Sequence, residues 1–450
     1  MVWRKDEPTP VLPVDDKRIR RRLGIVVALS LAAAVVVLGA LQRTGLINLQ
    51  GVPASTARLA VVDANGALVT MDGQGGSVVP YAVPGVAFQF PAWSLDGSRI
   101  AAIGQSPGGK GVIDVLTARS AGSGETAPAI IYQSPDRPPF YLYWLPDGRS
   151  LNFLTTEPTG IALRIAPADG SHGDVIVRQG APLYWDFADH EQLFVHIGTS
   201  GGDAFLGEID ASGTSQESTV LAPGIFRSPA VSKDNRYRAY VAPGNETAGA
   251  LVLEARDGPN KQTTPVYGAV AFGFDPSGTS LAFIAPKAAT AQPITFPLGP
   301  LRILDAGTGA VRTLLDAFEI AFFWAPDGKT IAALQVDVPG GGGLASANAV
   351  LAASESPAPS PGFGLHLRFV DVASGAIRSE RQVELSDVFV SQLLPFFDQY
   401  ALSHRIWSPD SASIALPLVG AGGVSQIFVI RADGSDFRRV ADGTAAFWSP

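Results

Sequence analysis

One pattern recurs along this chain and constrains its fold more than any other feature. A large residue is followed by a reverse turn of the Ser/Pro-Asp-Gly type and then by an alternating apolar strand. It reads PAWSLDGSRIAAI at 91–103, LYWLPDGRSLNFL at 142–154, FGFDPSGTSLAFI at 272–284, FFWAPDGKTIAAL at 322–334 and RIWSPDSASIALP at 405–417. Looser copies are PLYWDFADHEQLFV at 182–195, SPAVSKDNRYRAYV at 228–241 and the terminal AAFWSP. The anchors are Trp93, Trp144, Trp185, Val231, Phe274, Trp324, Trp407 and Trp448, spaced 51, 41, 46, 43, 50, 83 and 41 residues apart. A period in the forties, with turn chemistry repeated inside each unit, is the spacing of four-stranded propeller blades.

Each unit can be read strand by strand. The anchor lies on an inner strand a. In the turn that follows, Pro fixes φ, Asp bonds its own backbone and Gly accepts positive φ. Strand b then alternates with period two. A second hairpin joins strands c and d, marked by Asp72-Gly73, Asp169-Gly170, Ser212-Gly213, Asp257-Gly258, Thr308-Gly309, Ser374-Gly375 and Asp433-Gly434. Residues 57–88 supply three strands without an aromatic strand before them, and 444–450 supply an aromatic strand with nothing after it. Joined, they make one blade that closes the ring and removes its edges. The expectation is an all-β closed β-propeller of four-stranded blades over 57–450, eight by this count and seven if one loose copy is not a blade.

Ahead of it, Leu23 to Leu41 reads LGIVVALSLAAAVVVLGAL. Nineteen helical residues span roughly 28 Å, enough for a bilayer core. Lys17, Arg18, Arg20, Arg21 and Arg22 precede the run, and Arg43 alone follows it closely. The positive-inside rule then predicts a basic cytoplasmic tail at 1–22, a single transmembrane helix at 23–41, a linker at 42–56 and an extracytoplasmic propeller. A cleaved signal peptide is the rival reading, disfavoured by the length of the run and the lack of a small-x-small site.

Composition removes whole classes of chemistry. There is no cysteine, hence no disulfide, thiolate metal site or thiol nucleophile. The histidines are His172, His190, His196, His366 and His404, without metal-ligand spacing. The net charge is -8, and the basic residues are enriched before residue 43, so the propeller is more acidic than the whole and nucleic acid is not an expected partner. No P-loop, zinc-binding helix or EF-hand loop is present, and no cofactor or metal is expected. Asn245-Glu246-Thr247 is a glycosylation sequon.

The W-S-P-D-G turn, as in Trp407-Ser408-Pro409-Asp410, resembles that of the TolB-like, or PD40, family of WD40-like propellers. The pattern is also similar to the propeller half of dipeptidyl peptidase IV-type proteins. The resemblance covers about 57–450 and implies a fold rather than an activity. TolB carries an α/β domain before its propeller, where this chain has an apolar run, so the TolB role in the Tol–Pal system is not implied. The peptidase resemblance would need an α/β-hydrolase domain, for which the sequence after the last anchor leaves no room. GQSPG at 104–108 and GTSGG at 198–202 match G-x-S-x-G, but neither sits between a strand and a helix as a nucleophile elbow requires. Asp96, Asp147, Asp327 and Asp410 read as turn caps rather than as a ring of ligands.

Strand order places the tight a–b and c–d turns on one face and the variable b–c and d–a loops on the other. The second face carries the Gly/Ala/Ser/Pro-rich insertion 337–364, expected to be a flexible loop, and the segment 388–404, whose spacing predicts a short helix interrupted near Pro395. It also carries 285–299 and 134–141. Long loops on a rigid scaffold commonly bind, so Phe396, Phe397, Asp398, Tyr400, His404 and Arg405 are the candidate contacts. The alternative is that Phe396, Phe397 and Tyr400 plug a groove between two blades. The expected function is a membrane-anchored, non-catalytic scaffold for a protein, peptide or glycan. The alternative is a hydrolase or lyase with its site at the channel mouth.

Overall fold

The computed structural model describes residues 57–119, 127–189, 191–200, 204–211, 217–223, 226–245, 248–289, 296–337 and 365–450. The predicted tail, transmembrane helix and linker lie outside the described residues, as does the insertion after residue 337. No helix among the described residues is long and apolar enough to cross a membrane.

Antiparallel sheets with short hairpins make up nearly all of the described chain. The first sheet joins the two ends of the propeller, in the order Val79–Tyr81, Leu68–Met71, Leu59–Val62, Ala445–Trp448. Leu59 pairs with Trp448 and Val62 with Ala445. Four-stranded sheets then follow in chain order, with inner strands Ala87–Trp93, Pro139–Trp144, Ala181–Phe187 and Ala230–Val231. The next sheet has seven strands, because Val311–Trp324 serves two units. Its first part pairs with Gly299–Asp305 as an outer strand, and its second pairs with Thr330–Val336 as an inner one. The last sheet has three strands, Ser413–Val419, Ser425–Arg431 and Phe437–Asp442. Its inner strand is reduced to a bridge between Trp407 and Ile414.

The turns form as their chemistry dictates. Asp96 accepts from Ser94, Ser98 and the Ser98 N–H, which hold its carboxyl down at about 2. Asp147 accepts from the Arg149 N–H, Asp327 from the Lys329 N–H, and Asp410 from Ser408 and the Ala412 N–H. Each aspartate thus caps its own turn.

The anchors gear the blades together. The indole of Trp93 donates to the Phe447 carbonyl, Trp144 to Ala92, Trp324 to Gly273 and Trp407 to Phe323, at 3.0, 2.9, 3.2 and 3.0 Å. In each case the acceptor lies one residue before the preceding anchor. One repeated bond therefore fixes the height of a blade against its neighbour. In the fourth sheet the anchor position belongs to Phe187 rather than Trp185. Phe187 pairs with Leu193 and the Ala188 N–H closes the turn on Gln192, as Trp144 pairs with Leu151 and Leu145 closes on Ser150. Trp185 was the conspicuous aromatic in that stretch, but the turn fixes the register. A Trp407→Phe variant leaves the buried Phe323 carbonyl without its donor. We expect a loss of about 1–3 kcal/mol in chemical denaturation.

Where Val311–Trp324 passes from one unit to the next, Glu319 is fully buried. Neither carboxyl oxygen has a hydrogen-bond partner, and its cross-strand neighbour Gln335 has an unpartnered Oε1. Arg368 stands 3.7 Å away, but burial dominates and pushes Glu319 up to about 8. A carboxyl whose folded pKa exceeds its unfolded one is unpenalised below about pH 4.5, and stability falls as pH rises toward 8. Glu319→Gln removes this dependence. Denaturation curves from pH 5 to 9 should show the wild type losing about 2–4 kcal/mol more than the variant.

Candidate functional site: the channel plug and its mouth

Residues 387–403, between Ile377–Val383 and the bridge at Trp407, are helical throughout. A π-helical turn, Phe389–Leu393, passes into a 3-10 turn, Leu394–Phe396, and then into an α-helix, Phe397–Ser403. Pro395 sits in the first turn of the 3-10 piece, where its missing N–H costs nothing. The helix expected at 388–404 is present, and it is interrupted at the proline.

This helix lies on the propeller axis. Tyr400 packs against Phe90 and Tyr141, with ring centroids 5.5 and 5.1 Å apart. Phe397 packs edge-on against Phe322 and Phe323, at 5.5 and 5.7 Å. His404, just past the helix, meets Phe447 at 4.7 Å, and Phe396 meets Tyr184 at 5.9 Å. These partners come from inner strands of five units, four consecutive in the ring and the fifth, that of Phe322 and Phe323, across from them. Only an element in the central channel can touch them all. Phe397 and Tyr400 are therefore buried plugs, as the alternative reading held, but of the channel rather than of a groove between two blades.

A buried network fixes the plug. The Gln399 amide donates to the Tyr141 hydroxyl and the Trp185 carbonyl, both at 3.0 Å. Tyr141 lies 2.9 Å from Ser403, and Ser403 lies 2.7 Å from His404 Nδ1. His404 Nε2 faces the Phe90 carbonyl at 3.3 Å. A carbonyl only accepts, so Nε2 carries the proton and Nδ1 accepts from Ser403. Burial pushes His404 down to about 4, so it is neutral at physiological pH. Phe90 holds φ +44°, rare for a bulky side chain, at a bulge in its strand. That bend turns both its ring and its carbonyl toward the plug.

The Ser403–His404 pair has the spacing of a nucleophile and base, but a carbonyl takes the far nitrogen where a triad needs a carboxylate. Ser106, of the first G-x-S-x-G string, lies in a tight turn closed on Lys110, with a strand following. The second string runs from a strand into residues outside the described set. Among the described residues no group of three or more His, Asp or Glu side chains could hold a metal ion.

At the mouth, Phe396 is 42% exposed. It sits beside Tyr184, which packs on Phe226 at 5.4 Å, and Phe226 packs on His196 at 4.9 Å. Asp398 is half-buried, and burial raises it to about 6 against the pull of the Gln399 N–H, Arg227 and Ser228. Arg227 is itself lowered by burial and supported by Asp398. Arg405 lies two residues before the bridge at Trp407, half-buried, and burial lowers it too. Of the six predicted residues, Phe396 and Asp398 reach the mouth. Phe397, Tyr400 and His404 belong to the plug, and Arg405 stands beyond it.

Tyr184, His196, Phe226, Arg227, Tyr141 and Phe90 were not singled out by sequence. A signal exists for three of them. Phe90, Tyr141 and Tyr184 each precede an anchor by three residues, as does His404, and that offset faces the plug. It is visible only once Phe187 replaces Trp185 as the anchor. Truncating the plug should separate the two roles. We expect Phe397→Ala to cost about 3–5 kcal/mol of stability and Phe396→Ala less than about 1 kcal/mol, measured by chemical denaturation.

No protein-family model matches the sequence, and no curated protein does. Solved structures match in fold. Dihydro-heme d1 dehydrogenase NirN is 11% identical with a TM-score of 0.51, over 87% of this chain and 74% of that one. TolB from Acinetobacter baumannii is 14% identical with a TM-score of 0.40, over 87% and 81%. Oligogalacturonate lyase, solved with manganese, is 12% identical with a TM-score of 0.43, over 85% and 83%. At these identities the likeness is one of fold alone.

Proposed function

We propose that the chain is a membrane-anchored, eight-bladed extracytoplasmic propeller that binds a protein, peptide or glycan without catalysis. The observation that carries this reading is the plug. The mouth where a propeller enzyme would receive substrate is filled by the chain's own helix, packed by aromatic rings. What remains there is a rim of exposed Phe396 with half-buried Tyr184, Phe226, Asp398 and Arg227. Aromatic rings with an arginine beside them suit recognition. The count of eight is supported by the shared strand Val311–Trp324, which makes two units of one sheet, and by the bridge at Trp407, which restores a fourth strand to the last. The anchor is supported by the apolar run at 23–41 and the basic cluster before it.

Two measurements test the proposal. Full-length chain should stay with membranes through an alkaline carbonate wash and be digested by protease added outside intact cells. A soluble chain, or one protected until lysis, would sink the anchored reading. Crosslinking in those cells should recover a partner that is lost with Phe396→Ala or Asp398→Asn while the fold is retained. Unchanged recovery would remove the rim from the reading.

A further inference from the structure

Glu319 is the buried end of a row of ionisable side chains whose signs alternate. Its Oε1 lies 3.7 Å from Nη1 of Arg368. Arg368 holds Glu380, with Nη2 donating at 3.4 Å to one oxygen and Nε 3.2 Å from the other. Glu380 Oε1 lies 2.6 Å from Nδ1 of His366, and His366 Nε2 bonds Asp337 at 2.7 Å. Strand pairing sets the row, with Glu319 opposite Gln335, Gln335 opposite His366 and Arg368 opposite Glu380. His366 and Arg368 stand two apart on one strand and so share a face. The row runs outward, from Glu319 with no exposed surface to Asp337, whose side chain is 46% exposed at the loop-face end of its strand.

Other charged side chains on the surrounding strands are engaged elsewhere. Arg302 donates to the Ala285 carbonyl and Arg312 to the Val372 carbonyl, while Lys287 pairs with Asp316 and Arg378 with Asp371. Arg368 and Glu380 are the charges that act on Glu319.

Two protons decide whether the row balances. A neutral imidazole has one N–H and one lone pair, and here each ring nitrogen faces a carboxylate oxygen within 2.7 Å. The Nδ1 contact is not aligned as a hydrogen bond, so it is an ion contact. A lone pair held that close to an anionic oxygen is repelled, and the arrangement therefore calls for the imidazolium. Glu319 needs its proton because it is buried beside an unpartnered acceptor. Ionised, it and the Gln335 Oε1 would present acceptors only, whereas a proton on Glu319 supplies the missing donor. Burial pushes Glu319 up to about 8, so this proton leaves as pH rises through that value. With both protons on, Arg368 and His366 balance Glu380 and Asp337. With both off, Arg368 alone faces three carboxylates. Ionised Glu319 then competes with Glu380 for Arg368, and neutral His366 can donate to only one of Glu380 and Asp337.

We propose that this row is a pH-sensitive switch, in which loss of the Glu319 and His366 protons as pH rises frees Asp337 and loosens the pairing of Leu365–Asp371 with the strands on either side. Acid closes the switch and alkali opens it. It does not depend on the rim reading, since no residue of the row belongs to the plug or the mouth. It differs from a burial cost at Glu319 alone, because His366 and Asp337 must take part.

Hydrogen–deuterium exchange of the full-length chain tests the switch, read from about pH 5.5 to about pH 8.5 and corrected for the intrinsic exchange rate at each pH. Peptides covering Thr330–Val336 and Leu365–Asp371 should lose protection about fivefold or more as pH rises, while the seam strand Leu59–Val62 changes less than about twofold. Glu319→Gln should keep its protection at the alkaline end, and His366→Gln should start low already at the acid end. Each variant shrinks the pH response, and the double variant removes it. A wild-type response that is flat, or that is as large in the seam strand, overturns the proposal whether or not the variants fold. So does His366→Gln with the full wild-type response, which would leave the burial of Glu319 as the whole effect.

Discussion

The pairing of Leu59–Val62 with Ala445–Trp448 is the contact on which the rest of the molecule depends. It brings together backbone separated by nearly the whole propeller, and it turns a row of sheets into a ring. Further bonds fasten the seam, with the Arg58 N–H donating to the Ser449 hydroxyl and the Thr444 N–H to the Val62 carbonyl. Without it, the first and last sheets would each offer an open edge, and the inner strands would line no channel. The entropy of closing so long a loop grows only as the logarithm of its length, so a few strand pairs and one apolar seam suffice. Gly73 shows how tight the seam is, because a Cβ there would meet the Trp448 ring at 2.6 Å.

Closure creates the axis, and the axis creates a packing problem. Inner strands this wide apart leave space that water or protein must fill. Here a helical segment of the chain fills it with Phe389, Leu393, Leu394, Phe397 and Tyr400, all buried. Polar atoms that the plug carries inward are matched through the Gln399 amide N–H groups, Tyr141, Ser403 and His404, while the Gln399 Oε1 is left without a hydrogen-bond partner. The strain at Phe90 belongs to the same arrangement. A positive φ persists where surrounding contacts over-determine it, and here the ring and the carbonyl are both held by the plug.

How much of this was legible in the sequence follows from the range of the forces involved. The a–b turns were readable because they are local: Asp96, Asp147, Asp327 and Asp410 bond atoms within a few residues. The ring closure was readable because the repeat leaves two complementary fragments. The register at Phe187 was not, since the larger Trp185 sits two residues earlier and only strand pairing separates them. The shared strand Val311–Trp324 was hidden for a related reason, as no turn residue interrupts it. The helix at 388–404 was visible in its spacing, but its place on the axis was not. That place is set by Phe90, Tyr141, Tyr184, Phe322 and Phe447, which approach it from strands far apart in the chain.

A filled axis also changes what a propeller of this kind can offer a ligand. An open channel presents converging side chains at depth, where desolvation strengthens each polar contact. Here the half facing the long loops has become core, and its polar groups are spent on holding the plug. Exposed chemistry is pushed outward to Phe396, with half-buried Asp398 beside it.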